Sequence, residues 1–192
     1  MIEDPVEQFR QWFEEAKERG CLEHSAFALA TADNMGIPSV RMVLLKGYDK
    51  RGFVFFTNLE SRKCRDLAQN PHAALNFFWP ELDRQIIIEG KVERASRLEA
   101  ENYFATRAKE SRLGAWASRQ DKRVESREEL VRKVEEVKER FKDKDIPCPP
   151  WWGGWRVIPS RFEFWQGQPG RLHDRFEYIE EKNRWKIWRL SP

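Results

Sequence analysis

Between residues 26 and 57, three runs rich in apolar, β-branched and aromatic side chains follow one another with only tight turns between them. AFALATA (26–32) leads through Asn34-Met35-Gly36 into PSVRMVLLK (38–46), and a turn from Tyr48 to Gly52 leads into FVFFT (53–57). Parallel strands need a crossover of about a dozen residues or more, so connections this short restrict the segment to antiparallel hairpins. The pattern resumes at 72–79 (HAALNFFW) and 84–94 (RQIIIEGKVER). It closes the chain with strands expected at about 154–158, 161–166, 173–180 and 185–190. Many short strands with peripheral helices predict a mainly β, α+β architecture, an antiparallel barrel that is closed or partly open. The absence of regular strand–helix alternation and of a GxGxxG turn argues against a dinucleotide-binding parallel sheet.

The helices announce themselves by their caps. Asp4-Pro5-x-Glu7 predicts a helix over about 5–19, with Asp4 as N-cap and Glu7 as its reciprocal partner, and Val6, Phe9, Trp12, Phe13 and Ala16 on the buried face. NLESRKCRDLAQ (58–69) predicts a short helix capped by Asn58 or Ser61 and stopped at Asn70-Pro71. Ser96-x-x-Glu99 opens another, Ser111 to Ala117 suggests a further short one, and Ser126-x-x-Glu129 begins a helix with Leu130, Val134, Val137 and Phe141 on one stripe. The EELVRKVEEVKER face of that last helix is a solvated ladder of i,i+4 pairs. Pro147-Cys148-Pro149-Pro150 reads as a stiff spacer within one domain covering residues 1–192.

Composition narrows the function classes. The 35 Lys and Arg are nearly balanced by 32 Asp and Glu, leaving a net charge of +3, which argues against a dedicated nucleic-acid binder. Cys21, Cys64 and Cys148 are odd in number and scattered, with no CxxC pair, which points to a reducing compartment. No apolar run approaches the roughly 20 residues of a membrane span, and the N-terminus is acidic and amphipathic. A cytoplasmic protein is the expectation. His24, His72 and His173 are too dispersed to suggest a metal site, so redox or electrophilic chemistry would come from an organic cofactor.

Four constellations carry candidate chemistry. Arg41 and Lys46 bracket the apolar MVLL, either snorkelling to solvent at the strand ends or facing an anion. Thr57-Asn58-x-x-Ser61-Arg62-Lys63 runs a strand into a helix N-terminus, which is either an ordinary capped helix or a phosphate seat. Tyr103-x3-Arg107-x3-Ser111 places Tyr103 and Arg107 on one helix face, either a satisfied surface or a grip for a phosphate monoester. In RFEFWQGQPGRLHDR (161–175), Arg171, His173 and Arg175 alternate, so a strand there would project all three to one side beside Trp165. An imidazole in that position exchanges protons near neutral pH.

The segment EFWQ, four residues, then RLHDR (163–175) resembles the signature of the pyridoxamine/pyridoxine 5′-phosphate oxidases. RMVLLK (41–46), FFTNLESRK (55–63), the Arg84-Gln85 strand, YFATRAKESRLGAW (103–116) and WGGWRV (152–157) resemble family segments in the same order, so the likeness covers essentially the whole chain. It implies the FMN-binding split-barrel fold and a homodimer with FMN held at the subunit interface. It also implies FMN-dependent oxidation of phosphorylated B6 vitamers to pyridoxal 5′-phosphate, with dioxygen as acceptor and hydrogen peroxide as product. Carried over residue by residue, Arg41, Arg62 and Lys63 hold the FMN phosphate, while Met42, Val43, Leu44, Leu45, Lys46, Phe56 and Thr57 line the flavin, partly through backbone. Gln85, Gln120, Asp121, Trp165 and Arg175 complete the cofactor site. Lys46, Tyr103, Arg107 and Ser111 grip the substrate phosphate, and Arg171 and His173 contact the substrate ring as the catalytic pair.

Three departures stand out from the family pattern. Members carry a basic, Tyr-containing N-terminal arm over the substrate, whereas this sequence starts close to Asp4. Asp121 stands where a serine is usual, either repelling the phosphate or turning outward toward Lys122 or Arg123, and Phe56 stands where Tyr also occurs. Two other readings stay open on the residues alone. One is a split-barrel flavin oxidoreductase with a different substrate, and the other is a non-catalytic FMN or pyridoxal-phosphate binding protein.

Overall fold

The closely spaced runs fold into hairpins, and the hairpins wrap around one aromatic core. The computed structural model describes residues 1–182 and 184–192. In chain order the elements are α1 (Pro5–Glu18), β1 (Ala26–Ala32), β2 (Pro38–Leu44), β3 (Gly47–Asp49), β4 (Gly52–Asn58), α2 (Arg62–Gln69), β5 (His72–Trp79) and β6 (Arg84–Arg94). They continue with α3 (Arg97–Ala105), α4 (Lys109–Ala117), α5 (Arg127–Arg140), β7 (Trp152–Gln166), β8 (Asp174–Glu181) and β9 (Arg184–Leu190).

The strands form one antiparallel sheet in the order β2-β1-β5-β6-β7-β4-β3, from which β8 and β9 branch at β7. The sheet curls so that its two ends meet in sequence: β2 passes through Leu45 and Lys46 straight into β3 at the opposite end. The Leu45 amide donates to Ser25 O and the Lys46 amide to Val54 O, so this two-residue bridge is held from both ends of the sheet. The antiparallel split barrel expected from the sequence is the observed architecture. Tyr48 and Asp49, expected at the start of a turn, instead belong to the short strand β3 paired with β4.

β7 organises the split. The two strands expected at 154–158 and 161–166 are one 15-residue strand that passes through an irregularity opposite Glu89 and Gly90. On one side it pairs with β6 along nearly its whole length. On the other it pairs with β4 through residues 152–157, then with β8 through residues 161–166. Pro159, which has no N–H to donate, lies where the partner changes, as a proline inside a sheet must.

Period-two alternation supplies the core. Phe27, Leu29, Leu75, Phe77, Ile86, Ile88, Phe162 and Phe164 point inward and are fully buried. Helix α1 closes the barrel: Phe9 meets Phe53, Phe77 and Tyr48 at ring separations of 4.8, 5.2 and 5.0 Å. Burying such a ring is worth roughly 1.5–3 kcal/mol. Asp4 caps α1 through the amides of Val6 and Glu7, but Glu7 does not reciprocate, because Arg10 takes its carboxylate.

A second, smaller core of Phe104, Leu113, Phe141 and Ile146 joins α3, α4 and the end of α5. The stripe expected on α5 packs only at its C-terminal end, through Val137 and Phe141, while Leu130 remains exposed. Arg97 ties the proline-rich segment down, donating to the carbonyls of Cys148, Pro149 and Trp152. Among the described residues no helix is long and apolar enough to cross a membrane.

Candidate active site

Basic residues converge on a cavity of about 580 Å³ between β2, β4, the α3–α4 connection and the start of β7. Its first wall is built where β4 enters α2. The helix starts at Arg62 with Ser61, the second of the two expected caps, at its N-cap position, because Asn58 spends its side-chain oxygen on the Glu60 amide. Ser61 forms no side-chain cap; its hydroxyl accepts from Lys63 Nζ at 3.1 Å. Lys63 also donates to Thr57 Oγ1 at 3.3 Å and is only 5% exposed, and this burial pulls its pKa down. Arg41, on β2, reaches the same wall. It is also desolvated, which lowers its pKa, and its guanidinium donates to Thr31 Oγ1, Ser39 Oγ and Leu29 O.

The open cap of α2 is filled from far along the chain. Asp121 Oδ2 accepts the Arg62 amide at 2.6 Å, and Asp121 adopts a left-handed backbone with φ of 66° to do so. The outward turn toward Lys122 or Arg123 is therefore not what the chain adopts. A carboxylate stands at the helix N-terminus instead, where the partial positive charge of the amides favours an anion.

The second wall carries Lys46, Tyr103, Arg107 and Ser111. Tyr103 and Arg107 were expected on one helix face. The helix ends at Ala105, so Arg107 lies in the connection to α4 and Ser111 on α4 itself. The three are brought together by that reversal. Tyr103 stacks on Phe56 at 4.5 Å, and Lys46 Nζ lies 5.8 Å from the Tyr103 ring centre. Arg107 lies over Trp152 at 4.2 Å, its Nη1 buried without a partner, and desolvation lowers its pKa. The indole Nε1 of Trp152 is likewise buried and unpartnered. An arginine held by aromatic faces, with no carboxylate bonded to it, keeps its hydrogen-bonding capacity for an incoming anion.

Met42, Val43, Leu44, Phe56, Thr57 and Gln120 also line the cavity, as expected. Gln120 Oε1 accepts from Thr57 at 3.4 Å. β2 stands at the end of the sheet order, so its free edge leaves backbone groups available to a ligand. Leu45 is not among the lining residues, because its side chain turns into the core. Trp152 and Ala108 line the cavity without having been singled out. Both lie in segments already noted for their family likeness, Trp152 in WGGWRV and Ala108 in YFATRAKESRLGAW.

The remaining candidates gather elsewhere. Gln85, Trp165 and Arg175 are directly opposite one another across β6, β7 and β8 and form a single row. Arg175 is tied to the buried Glu163 at 2.8 Å and to Ser191 O. Burial raises the Glu163 pKa, but the hydrogen bonds from Arg175 and Arg161 outweigh it, so the net shift is downward. The expectation that Arg171, His173 and Arg175 share one strand face fails: β8 begins at Asp174, and Arg171 belongs to a 3-10 turn with φ of 62°. His173 instead packs on Trp165 at 4.7 Å and accepts the Gln168 amide through Nδ1. Arg171 is exposed. None of these five residues lines the 580 Å³ cavity.

An antiparallel sheet curled into a half-barrel, with helices at its periphery and a basic cavity along its free edge, defines the FMN-binding split-barrel fold. More narrowly, the chain belongs to the pyridoxamine 5′-phosphate oxidase family: that family's model matches residues 9–141, and the pyridoxine 5′-phosphate oxidase C-terminal dimerisation region matches residues 152–192. A pyridoxine/pyridoxamine 5′-phosphate oxidase of Rubrobacter xylanophilus is 53% identical over 189 residues, covering 98% of this chain and 87% of the relative. One from Coxiella burnetii is 48% identical, covering 100% and 97%. Among solved structures, PhzG from Burkholderia lata, in complex with tetrahydrophenazine-1-carboxylic acid, superimposes with a TM-score of 0.95 at 30% identity, covering 100% of this chain and 94% of that one. A pyridoxamine 5′-phosphate oxidase-related, FMN binding protein of Nostoc punctiforme shares the fold at a TM-score of 0.78 and 17% identity.

Proposed function

We propose that this chain oxidises pyridoxine 5′-phosphate and pyridoxamine 5′-phosphate to pyridoxal 5′-phosphate. FMN is the cofactor, in keeping with the family. The observation that carries the reading is a pair of separate cationic clusters in one cavity: Arg41 with Lys63 on one wall, and Lys46 with Arg107 on the other. One phosphorylated cofactor and one phosphorylated substrate account for both. The residues fit FMN: Arg41 and Lys63 in the cavity wall, with Arg62 beside Lys63 on α2, suit its phosphate, and the free edge of β2 with Thr57 and Gln120 suits the flavin.

When bound, FMN supplies the redox chemistry, taking a hydride from substrate C4′ at N5 and passing the electrons to dioxygen to give hydrogen peroxide. The alcohol substrate yields the aldehyde directly, and the amine also consumes water and releases ammonia. Lys46, Tyr103, Arg107 and Ser111 hold the substrate phosphate, so that orientation rather than covalent participation is the protein's contribution. Arg171 and His173 orient the pyridine ring, and His173 is the natural proton shuttle.

Because Gln85, Trp165, Arg175, Arg171 and His173 lie apart from the cavity, they reach the cofactor and substrate of the partner subunit in a homodimer. The match of residues 152–192 to a dimerisation region supports this arrangement.

The test is the visible spectrum of the purified protein. A flavin spectrum bleached anaerobically by pyridoxamine 5′-phosphate, and restored by air with formation of peroxide, is expected. An FMN-loaded protein that neither phosphorylated vitamer bleaches would sink the reading. Tetrahydrophenazine-1-carboxylic acid, the ligand of the similar PhzG structure, is the comparison substrate in the same assay.

Asp121 supplies a separate prediction. A carboxylate beside the phosphate costs roughly 1 kcal/mol when solvent-screened at ~4 Å, so Asp121→Ser is expected to tighten FMN binding about fivefold. The same change removes the cap of α2, worth about 1 kcal/mol, so flavin-free protein should melt a few degrees lower. Flavin fluorescence titration and thermal unfolding read the two effects, and weaker FMN binding in the variant would show that Asp121 assists the phosphate.

A further inference from the structure

Behind the phosphate wall lies a buried acid that neither the cavity nor the family motifs single out. Asp66 is on α2, one turn beyond Arg62, and only 5% exposed. Its Oδ2 accepts the Thr31 hydroxyl at 2.7 Å, and Thr31 on β1 is itself buried. The same Thr31 Oγ1 accepts from Arg41 Nη1 at 2.7 Å. The hydroxyl therefore has one role with each neighbour, donating to the carboxylate and accepting from the guanidinium. Asp66 Oδ2 also lies 3.7 Å from Arg41 Nη2 and 4.0 Å from Arg62 Nε, and Asp66 itself does not line the cavity.

From this geometry we infer that Asp66, acting through Thr31, is a positioning residue that orients Arg41 toward the cofactor phosphate. Burial disfavours the charge on Arg41, and Asp66 is the foremost of the groups that restore it. Without that counter-charge a desolvated guanidinium gains by swinging outward into water. Held by Thr31, Ser39 and Leu29 O, it is pre-organised, and a pre-organised fork loses less freedom when it meets an anion. The inference rests on the FMN reading above, since the anion in question is the FMN phosphate.

The discriminating measurement compares FMN with riboflavin, which has the same ring system and no phosphate. Flavin fluorescence titration of flavin-free protein is expected to show Asp66→Asn weakening FMN at least tenfold, with riboflavin affinity changed less than twofold. Thr31→Val should reproduce that selective loss, and Thr31→Ser, which keeps the hydroxyl, should restore wild-type FMN affinity. Parallel weakening of both flavins would mark a general structural defect and overturn the inference, as would unchanged or tighter FMN binding in either Asp66→Asn or Thr31→Val. Should the wild-type protein bind riboflavin and FMN equally, the phosphate seat and the cofactor reading fall together. The Thr31 pair keeps the test decisive even if α2 tolerates no change at Asp66.

Discussion

Arg107→Ala is expected to lower kcat/KM for both phosphorylated vitamers by about 10- to 100-fold, mostly through KM, while leaving FMN affinity within about twofold. A charge-assisted hydrogen bond to an anion is worth roughly 1.5–3 kcal/mol, and each 1.4 kcal/mol is tenfold. Arg107 meets the conditions for the upper part of that range. Its guanidinium is partly desolvated, its Nη1 is unpartnered, and it is fixed over Trp152 rather than spent on a carboxylate. Arg107→Lys should recover only part of the loss, because an ammonium can neither stack as a plane nor present a fork. Steady-state peroxide assays and flavin titration separate the two effects. A variant that lost FMN in step with activity would move Arg107 from the substrate to the cofactor.

A large effect on stability is expected at Gly90. A Cβ added there would stand 1.9 Å from the Ile158 carbonyl oxygen and 2.9 Å from the Pro159 Cα, both backbone atoms of the strand it pairs with. Neither can rotate away, so Gly90→Ala must part β6 from β7 at the irregularity or break their pairing. Overpacking of this kind costs roughly 3 kcal/mol, which for a chain of this size lowers Tm by about 6–12 °C. Gly167→Ala is the informative contrast. The three atoms nearest its added Cβ all belong to the carboxylate of Asp83, a side chain able to swing aside, and the expected loss is under about 1 kcal/mol. Equal destabilisation at the two positions in thermal unfolding would refute the backbone argument.

The fold was legible where local signals had a local cause. β1, β5 and β6 were readable residue by residue because an alternating buried face needs no distant information. Ser96 and Glu99 announced α3 because both halves of their capping box lie within one turn. The gap expected between the strands at 154–158 and 161–166 falls on Pro159-Ser160, yet β7 runs through it: the donor that proline lacks falls where one partner strand gives way to the next.

The residues that line the cavity were legible, and their arrangement was not. Arg107 could be named as an anion ligand, but its placement depends on the helix stopping at Ala105 and the chain reversing into α4. Asp121 looked like a loose carboxylate because its partner, the Arg62 amide, lies 59 residues earlier. Asp66 was invisible for the same reason: within RKCRDLAQ it reads as an ordinary helix acid, and the hydroxyl that explains it lies on β1, 35 residues away. Arg171 and His173 had the right spacing for a strand, but the positive backbone angles of Gly170 and Arg171 turn the chain before β8 begins.

The unbroken β7 carries a consequence for how lesions combine. Trp152, in the cavity, and Trp165, in the row with Gln85 and Arg175, are thirteen residues apart on one strand. At about 3.3 Å per residue a strand of this length spans up to roughly 40 Å, which sets its two ends at different places along the barrel. On the two-subunit reading, each chain lends one end of this beam to its own ligand and the other end to its neighbour's. A chain damaged at Arg107 and a chain damaged at Arg175 are then complementary: paired together, they place both faults in one site and leave the other intact. Dominance and rescue among variants of this protein are thereby written into the length of a single strand.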